Sequence, residues 1–198
     1  MKKHLLVLLH GLGSNGDDLA ALCPYFESLK DVEFFSPDGI EPCDLFPFGY
    51  QWFSLANRDG DVMKSELERV APKIRRMISD KAALHDISED KIILLGFSQG
   101  TMTSLYLALT NEVPYKAVVG FSGSLITPNE VIQRETPICL IHGMEDDVVP
   151  AHNLKIAEEA LKKEGMNVSS FLFPDIAHSI DMRGIKTAIE FLKREIEK

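Results

Sequence analysis

The sequence predicts an α/β fold in which a mostly parallel sheet of about six strands has helices on both faces. Three observations lead to this prediction. Short apolar runs recur along the chain, amphipathic stretches separate them, and the two patterns alternate. The runs are continuous rather than alternating in polarity, as expected of strands that are covered on both faces. The 198 residues contain no linker-like segment or internal repeat, so we expect one domain over residues 1–198 and no cap domain.

Each element follows from one of these patterns. The six predicted strands cover residues 5–9, 32–35, 92–95, 117–121, 138–141 and 168–173. The predicted helices cover residues 17–29, 61–84, 102–110, 151–163 and 183–198. Residues 36–60 interrupt the alternation because they contain three prolines and three glycines, which predicts a long loop. Loops of this length inside compact domains are usually functional.

Composition and charge exclude several classes of protein. Apolar residues make up 45% of the chain and charged residues 26%, as in ordinary globular proteins with a buried core. The formal net charge of −9 repels a phosphate backbone, so we expect no nucleic-acid partner. Cys23, Cys43 and Cys139 have neither the spacing of a disulfide framework nor that of a metal site. We therefore expect no metal and a reducing, cytoplasmic location.

The N-terminus has two features of a signal peptide, a pair of lysines and an apolar run. The run at residues 5–9 is shorter than the roughly 7–15 residues of a signal-peptide core, and no small-residue cleavage site follows it. We therefore interpret it as the first strand. Uninterrupted apolar stretches of about 18 residues are absent from the sequence, so we expect no stable membrane insertion.

The strongest chemical signal is the sequence Gly96-Phe97-Ser98-Gln99-Gly100, between a predicted strand and a predicted helix. In this context the serine lies on a tight, strained bend, and glycine at the flanking positions lets the chain pass closely. The serine oxygen is then near a helix N-terminus, where N–H groups stabilise developing negative charge. We predict that Ser98 is a nucleophile. The alternative is a Gly/Ser turn without chemistry.

A serine nucleophile needs a histidine base, and the base needs a carboxylate that orients it. In hydrolases built on such a sheet, the chain order is serine, acid, histidine, each after a strand. Asp146 follows the strand at 138–141 and His178 follows the strand at 168–173, which reproduces this order. The pattern of residues alone does not choose between Asp146 and Asp147. His142 is interpreted as a buried, hydrogen-bonded residue.

Two backbone N–H groups are expected to form an oxyanion hole. One belongs to Gln99, which follows the nucleophile. The other should come from residues 10–16, where three glycines free the backbone, and we select Leu12. The same loop matches G-x-G-x-x-G, and Asp38 follows at the distance expected of a ribose-binding acid. A dinucleotide site is therefore an alternative, although it leaves the serine, aspartate and histidine unexplained.

The long loop contains an aromatic segment, which we define as residues 45–53. Aromatic residues occupy every second position from 46 to 52, and one side of an extended chain would carry them together. We expect this segment to form a wall of the substrate site, with Phe48, Trp52 and Phe53 as substrate-binding residues. The alternative is that these side chains belong to the core.

Together, these motifs resemble the small carboxylesterases and acyl-protein thioesterases of the α/β-hydrolase superfamily, also called the phospholipase/carboxylesterase family. The matching residues are His10-Gly11-Leu12-Gly13, Trp52-Phe53, Gly96-Phe97-Ser98-Gln99-Gly100, Phe121-Ser122-Gly123, His142-Gly143-x-x-Asp146-x-x-Val149-Pro150 and His178-Ser179. The resemblance implies an α/β-hydrolase fold and assigns the acid to Asp146. Since the oxyanion loop begins at residue 10, we expect the leading antiparallel strands of the larger fold to be absent.

The resulting prediction is a serine hydrolase that cleaves short to medium acyl esters or thioesters through an acyl-enzyme on Ser98. The expected substrate is a small molecule or an acylated partner, no cofactor is required, and a homodimer is possible. Two other functions stay open at this point. One is a different serine hydrolase activity, such as that of a peptidase or a dienelactone hydrolase. The other is a non-catalytic binding module that keeps the hydrolase fold.

Overall fold

The computed structural model describes residues 3–198. Met1 and Lys2, which begin the segment compared above with a signal peptide, lie outside the described residues. The strands are β1 (His4–Leu9), β2 (Val32–Phe35), β3 (Glu41–Pro42), β4 (Tyr50–Gln51), β5 (Ile92–Phe97), β6 (Ala117–Phe121), β7 (Ile138–Gly143) and β8 (Val168–Phe173). The α-helices are α1 (Gly16–Ala20), α2 (Cys23–Phe26), α3 (Gly60–Ala83), α4 (Gln99–Thr110), α5 (His152–Lys163) and α6 (Met182–Ile196).

The main sheet has six strands in the order β2-β1-β5-β6-β7-β8, and every neighbouring pair is parallel. This confirms the predicted parallel sheet of about six strands. The short strands β3 and β4 form a separate antiparallel pair within the long loop. All six main strands place their carboxyl ends at one edge of the sheet, and the loops that leave this edge are those with the predicted site residues.

The largest difference from the predicted elements lies at residues 17–29. One helix was expected there, whereas the structure has the two short helices α1 and α2. Pro24 lies in the first turn of α2, and proline lacks the N–H that would continue a helix from the preceding turn. The other predicted helices differ by three residues or fewer at either end. No helix within residues 3–198 is both long enough and apolar enough to span a membrane.

Hydrophobic layers cover both faces of the sheet, as predicted. In β1, Leu5, Val7 and Leu9 pack on one side with residues of α3, α4 and α5. Leu6 and Leu8 pack on the other side with residues of α1, α2 and α6. Neighbouring strand residues point to opposite faces, so a strand that is covered on both faces must be apolar throughout. The buried sheet is the rigid platform on which the loops at its carboxyl edge are held.

Candidate active site

Ser98 lies on a strained bend between β5 and α4. Its backbone angles are φ 52° and ψ −114°, a combination that non-glycine residues rarely adopt. The flanking glycines are required by close packing. A Cβ atom on Gly96 would overlap the backbone of Gly100, and one on Gly100 would overlap the carbonyl group of Leu9. The Ser98 N–H donates to the carbonyl oxygen of Phe121 at 2.9 Å, which fixes the bend against the neighbouring strand.

Asp146 and His178 form a hydrogen-bonded pair at the same edge of the sheet. Oδ2 of the buried Asp146 lies 2.8 Å from Nδ1 of His178. The other carboxylate oxygen, Oδ1, accepts the backbone N–H groups of Val148 at 3.0 Å and Val149 at 2.8 Å. Asp147, the adjacent acid, is exposed. The loop between β7 and α5 therefore holds the Asp146 carboxylate in a fixed position with its negative charge towards the imidazole.

A second histidine contacts the same carboxylate. Nε2 of the buried His142 lies 2.7 Å from the carbonyl oxygen of Val149 and 3.2 Å from Oδ2 of Asp146. Both neighbours are acceptors, so Nε2 carries the proton and donates. The interpretation of His142 as a buried, hydrogen-bonded residue is confirmed.

The charges in this cluster follow from burial and hydrogen bonding. Burial lowers the pKa of His142, and its contacts with Val149 and Asp146 only partly oppose this effect, so the ring is uncharged at neutral pH. Burial by itself would raise the pKa of Asp146. The hydrogen bonds from His178 and from the Val149 N–H nevertheless bring that pKa below its ordinary value. Asp146 is therefore a carboxylate at neutral pH.

Ser98 and His178 line the same cavity, which has a volume of about 710 Å³. The Phe97 ring packs against the His178 imidazole with 4.9 Å between the ring centroids. Most of the remaining cavity wall is apolar. Its apolar side chains are Leu12, Leu19, Leu22, Phe46, Leu55, Met63, Met102, Val148, Val149, Pro150 and Ile180. Asp18 and Arg58 also line the cavity and supply charge to it.

The loop after β1 is held by side-chain contacts. His10 Nδ1 lies 2.7 Å from the carbonyl oxygen of Gly11, and His10 Nε2 accepts the Gly39 N–H at 2.8 Å. Within residues 3–198, the N–H groups of Leu12 and Gln99 donate to no protein acceptor. Gly11, Leu12 and Ser98 all line the cavity. Two backbone donors therefore remain available near the serine.

The acid expected of a dinucleotide site has another role. Asp38 Oδ1 accepts the N–H of Gly16, the last glycine of the G-x-G-x-x-G match, at 2.8 Å. A Cβ on Gly16 would overlap the carbonyl oxygen of Ser36. Gly16 and Asp38 thus hold the loop after β1 against the segment that follows β2. The contact occupies one oxygen of the carboxylate that would bind the ribose of a dinucleotide.

The aromatic segment differs from the prediction. None of Phe48, Trp52 and Phe53 lines the cavity, so their assignment as its wall is corrected. Trp52 and Phe53 are completely buried in the core, whereas Phe48 is 71% exposed. Phe46 is the aromatic residue of this segment that lines the cavity. Gly49, where φ is 74°, turns the chain between Phe48 and Trp52. The segment therefore has no single extended aromatic face.

The Gln99 side chain explains why Trp52 and Phe53 are buried. Its Oε1 accepts the Trp52 N–H at 2.9 Å, and its Nε2 donates to the Phe53 carbonyl oxygen at 2.7 Å. The Trp52 indole N–H in turn donates to the carbonyl oxygen of His10 at 2.8 Å. These contacts join the start of α4 to the aromatic segment and to the loop after β1. The sequence predicted a role only for the backbone N–H of Gln99, although a buried amide next to Ser98 must also find partners.

A serine on a strained strand-to-helix bend and a histidine–aspartate pair, all at the carboxyl edge of a parallel sheet, define an α/β-hydrolase. The family model for phospholipase/carboxylesterase matches residues 1–196. The chain therefore belongs to the phospholipase/carboxylesterase family, as its motifs suggested.

Individual relatives agree with this membership. The chain is 29% identical to esterase YpfH of Escherichia coli (strain K12), over 99% of this chain and 84% of that esterase. It is 24% identical to an acyl-protein thioesterase 1 of Gibberella zeae, over 96% of this chain and 90% of the thioesterase. The crystal structure of esterase PE8 superposes with a TM-score of 0.90 and 34% identity, covering 98% of this chain and 93% of the esterase.

Proposed function

We propose that the protein hydrolyses carboxylic esters or thioesters with short to medium acyl groups through an acyl-enzyme on Ser98. The observation that carries this proposal is the 2.8 Å contact between Asp146 and His178, together with the position of His178 and Ser98 in one cavity. Relatives named as an esterase and as an acyl-protein thioesterase support the same reaction class.

In the first half of the reaction, the Ser98 hydroxyl adds to the carbonyl carbon of the substrate while His178 Nε2 takes the hydroxyl proton. Asp146 keeps the proton on Nδ1 and stabilises the imidazolium that forms. The N–H groups of Leu12 and Gln99 donate to the oxyanion. The intermediate then collapses, the bond to the alkoxide or thiolate breaks, and the imidazolium protonates this leaving group.

In the second half, water replaces the leaving group. His178 takes a proton from the water as its oxygen adds to the acyl carbon of the ester on Ser98. The same two N–H groups hold the second oxyanion. Breaking the bond to Ser98 Oγ returns the proton from His178 to the serine and releases the carboxylic acid. The protein needs no cofactor in this cycle because Ser98 supplies the nucleophile and His178 moves each proton.

The cavity favours an acyl chain as the group bound beside the serine. Its volume of about 710 Å³ lies within the usual range for small-molecule sites of roughly 300–1,000 Å³. Leu12, Leu55, Met63 and Met102 offer aliphatic and thioether surface to such a chain. Each buried methylene adds about 0.8 kcal/mol to binding, which is the physical basis for a chain-length preference.

An active-site-directed fluorophosphonate tests the proposal. We expect one equivalent to attach to Ser98, as located by mass spectrometry, and to abolish hydrolysis of p-nitrophenyl butyrate and butyryl thioesters. Ser98→Ala should not be labelled, whereas Ser124→Ala, which alters another serine of the same cavity, should be. Modification at a different residue, or full hydrolysis by the labelled protein, would contradict the proposal.

The location and assembly of the protein are further parts of the proposal. Free thiols at Cys23, Cys43 and Cys139 support action in the reducing cytoplasm. The net charge of −9 supports a small or acylated substrate rather than nucleic acid. Sedimentation of the purified chain at several concentrations decides whether it forms the homodimer that the sequence allows.

A further inference from the structure

A second cavity lies at the edge of the sheet opposite the candidate active site. It has a volume of about 440 Å³ and is lined where β1 begins, at Lys3 and His4, by residues 28–31 and by the last turn of α6. The strand β1 has six residues, so this cavity lies roughly 20 Å from the oxyanion loop at the other end of the strand. The second cavity is therefore separate from the proposed acyl site.

Three lysines line this cavity, Lys3, Lys30 and Lys193. Among residues 3–198, their ammonium groups make no ion pair or hydrogen bond. Asp31 and Glu197 also line the cavity, so lysines outnumber carboxylates there in a chain whose net charge is −9. Unpaired lysines gathered against such a background attract anions.

His4 provides an independent observation. The residue is only 6% exposed, and both ring nitrogens are buried without a hydrogen-bond partner. Buried polar groups in proteins are nearly always paired, so this unpaired imidazole beside the cavity is an exception. Burial lowers the pKa of His4, and Lys116, Lys91 and Lys3 lower it further, whereas Asp90 partly opposes them. The surrounding charges are therefore positive on balance.

We infer that this cavity binds a phosphate group, with Lys3, Lys30 and Lys193 balancing its charge and the His4 ring beside the bound group. Lysine ammonium groups are common phosphate ligands and act as point charges. The volume also leaves space for an organic group attached to the phosphate. Free phosphate and a phosphomonoester share this chemistry, and the experiment below separates them. The inference does not depend on the proposed hydrolase activity.

The test follows the histidine ring protons by NMR at pH 7 while inorganic phosphate is added and sodium chloride keeps the ionic strength constant. We expect a saturable shift at His4 and none at His85 or His152, which are outside the cavity. Lys30→Gln/Lys193→Gln should weaken the apparent affinity at least tenfold. The matched control Lys163→Gln/Lys186→Gln removes the same charge from exposed positions elsewhere and should keep the affinity of the unaltered protein.

Parallel titrations with adenosine monophosphate and adenosine identify the source of the phosphate group. Tighter binding of the monophosphate than of inorganic phosphate would support an organic phosphate as the ligand, and the reverse would support free phosphate. Equal binding of adenosine would overturn the inference. A His4 signal that does not saturate, or an equal loss of affinity in the two double variants, would also overturn it. An unchanged circular-dichroism spectrum and melting temperature of the Lys30/Lys193 variant would show that its fold is intact.

Discussion

The bend at Ser98 and the aromatic segment at residues 45–53 lie at the same edge of the sheet, but different contacts hold them. The bend is formed mainly by neighbours in sequence, because Gly96 packs on the backbone of Gly100, and contacts with Leu9 and Phe121 then fix it against the adjacent strands. The aromatic segment is set by distant partners. The Gly13 N–H donates to Tyr50 at 2.9 Å, and Gln99 bonds to the backbone of Trp52 and Phe53.

This difference shows which parts of a site a motif can describe. A motif of five residues contains the contact between Gly96 and Gly100, so it indicates the bend on which Ser98 lies. The periodicity of the aromatic segment contains no information about its distant partners. For this reason the segment divides into a buried part and an exposed part that its regular spacing does not indicate.

Replacing Ser98 by alanine should have the largest effect. We expect a loss of about 10⁴–10⁶-fold in kcat for ester hydrolysis, because only oxyanion-hole catalysis would remain. The melting temperature should change little, since the hydroxyl contributes little packing. Steady-state kinetics and circular dichroism on the same preparation check both statements. Activity within about tenfold of the unaltered protein would show that the bend is structural only.

Asp146 and Asp147 are adjacent acids with very different expected roles. Asp146→Asn keeps the size of the side chain but favours the wrong tautomer of His178, so kcat should fall by about 10⁴-fold. Asp147→Asn, the matched control, changes an exposed residue and should lower kcat less than twofold. The opposite ranking would show that Asp147 orients the base.

His142 should matter by positioning the Asp146 carboxylate. A hydrogen bond to a charged group contributes about 1.5–3 kcal/mol, so His142→Phe should lower kcat by roughly ten- to a hundredfold. His142→Gln places an amide N–H near the position of Nε2 and should recover most of this loss. KM should stay nearly constant because His142 does not line the acyl cavity. If the glutamine and phenylalanine variants were equally impaired, the contact with Asp146 would not be the cause.

Phe46 and Phe48 sharpen the comparison within the aromatic segment. Phe46 lines the cavity, whereas Phe48 is largely exposed and does not. Phe46→Ala should change the ratio of kcat/KM between octanoyl and acetyl esters by about three- to tenfold, as expected for loss of a partial apolar contact of about 1 kcal/mol. Phe48→Ala should leave this ratio within twofold. A larger change for Phe48→Ala would indicate that the exposed part of the segment contacts substrate.

Buried histidines should make stability depend on pH. Burial is the first cause of the lowered pKa values of His4, His10 and His142. In the unfolded chain these residues take up protons below a pKa of about 6.5, which the native state resists. The unfolded state therefore binds more protons, and the free energy of unfolding should rise between about pH 5 and 7 and then level off. Urea unfolding at several pH values measures it, and His142→Gln should reduce the slope.

Much of the site could be predicted from the chain because its parts obey local rules. Apolar runs become strands, and Gly96-Phe97-Ser98-Gln99-Gly100 between a strand and a helix gives the bend. The choice of Asp146 over Asp147 needed the family resemblance. Adjacent loop residues point in different directions, and only the folded loop shows which carboxylate lies 2.8 Å from His178.

The sequence by itself determined the parallel sheet, the two apolar layers and the position of Ser98 at a strained bend, because burial and steric overlap act between residues close in the chain or regular in spacing. The tertiary structure decided that Trp52 and Phe53 are core residues, that Phe46 faces the cavity, and that His142 contacts Asp146. The positions of Trp52 and Phe53 depend on hydrogen bonds from Gln99, which is far away in the sequence, and the contact of His142 depends on how the loop after β7 folds. Such contacts exist only once the sheet has brought the loops to one edge.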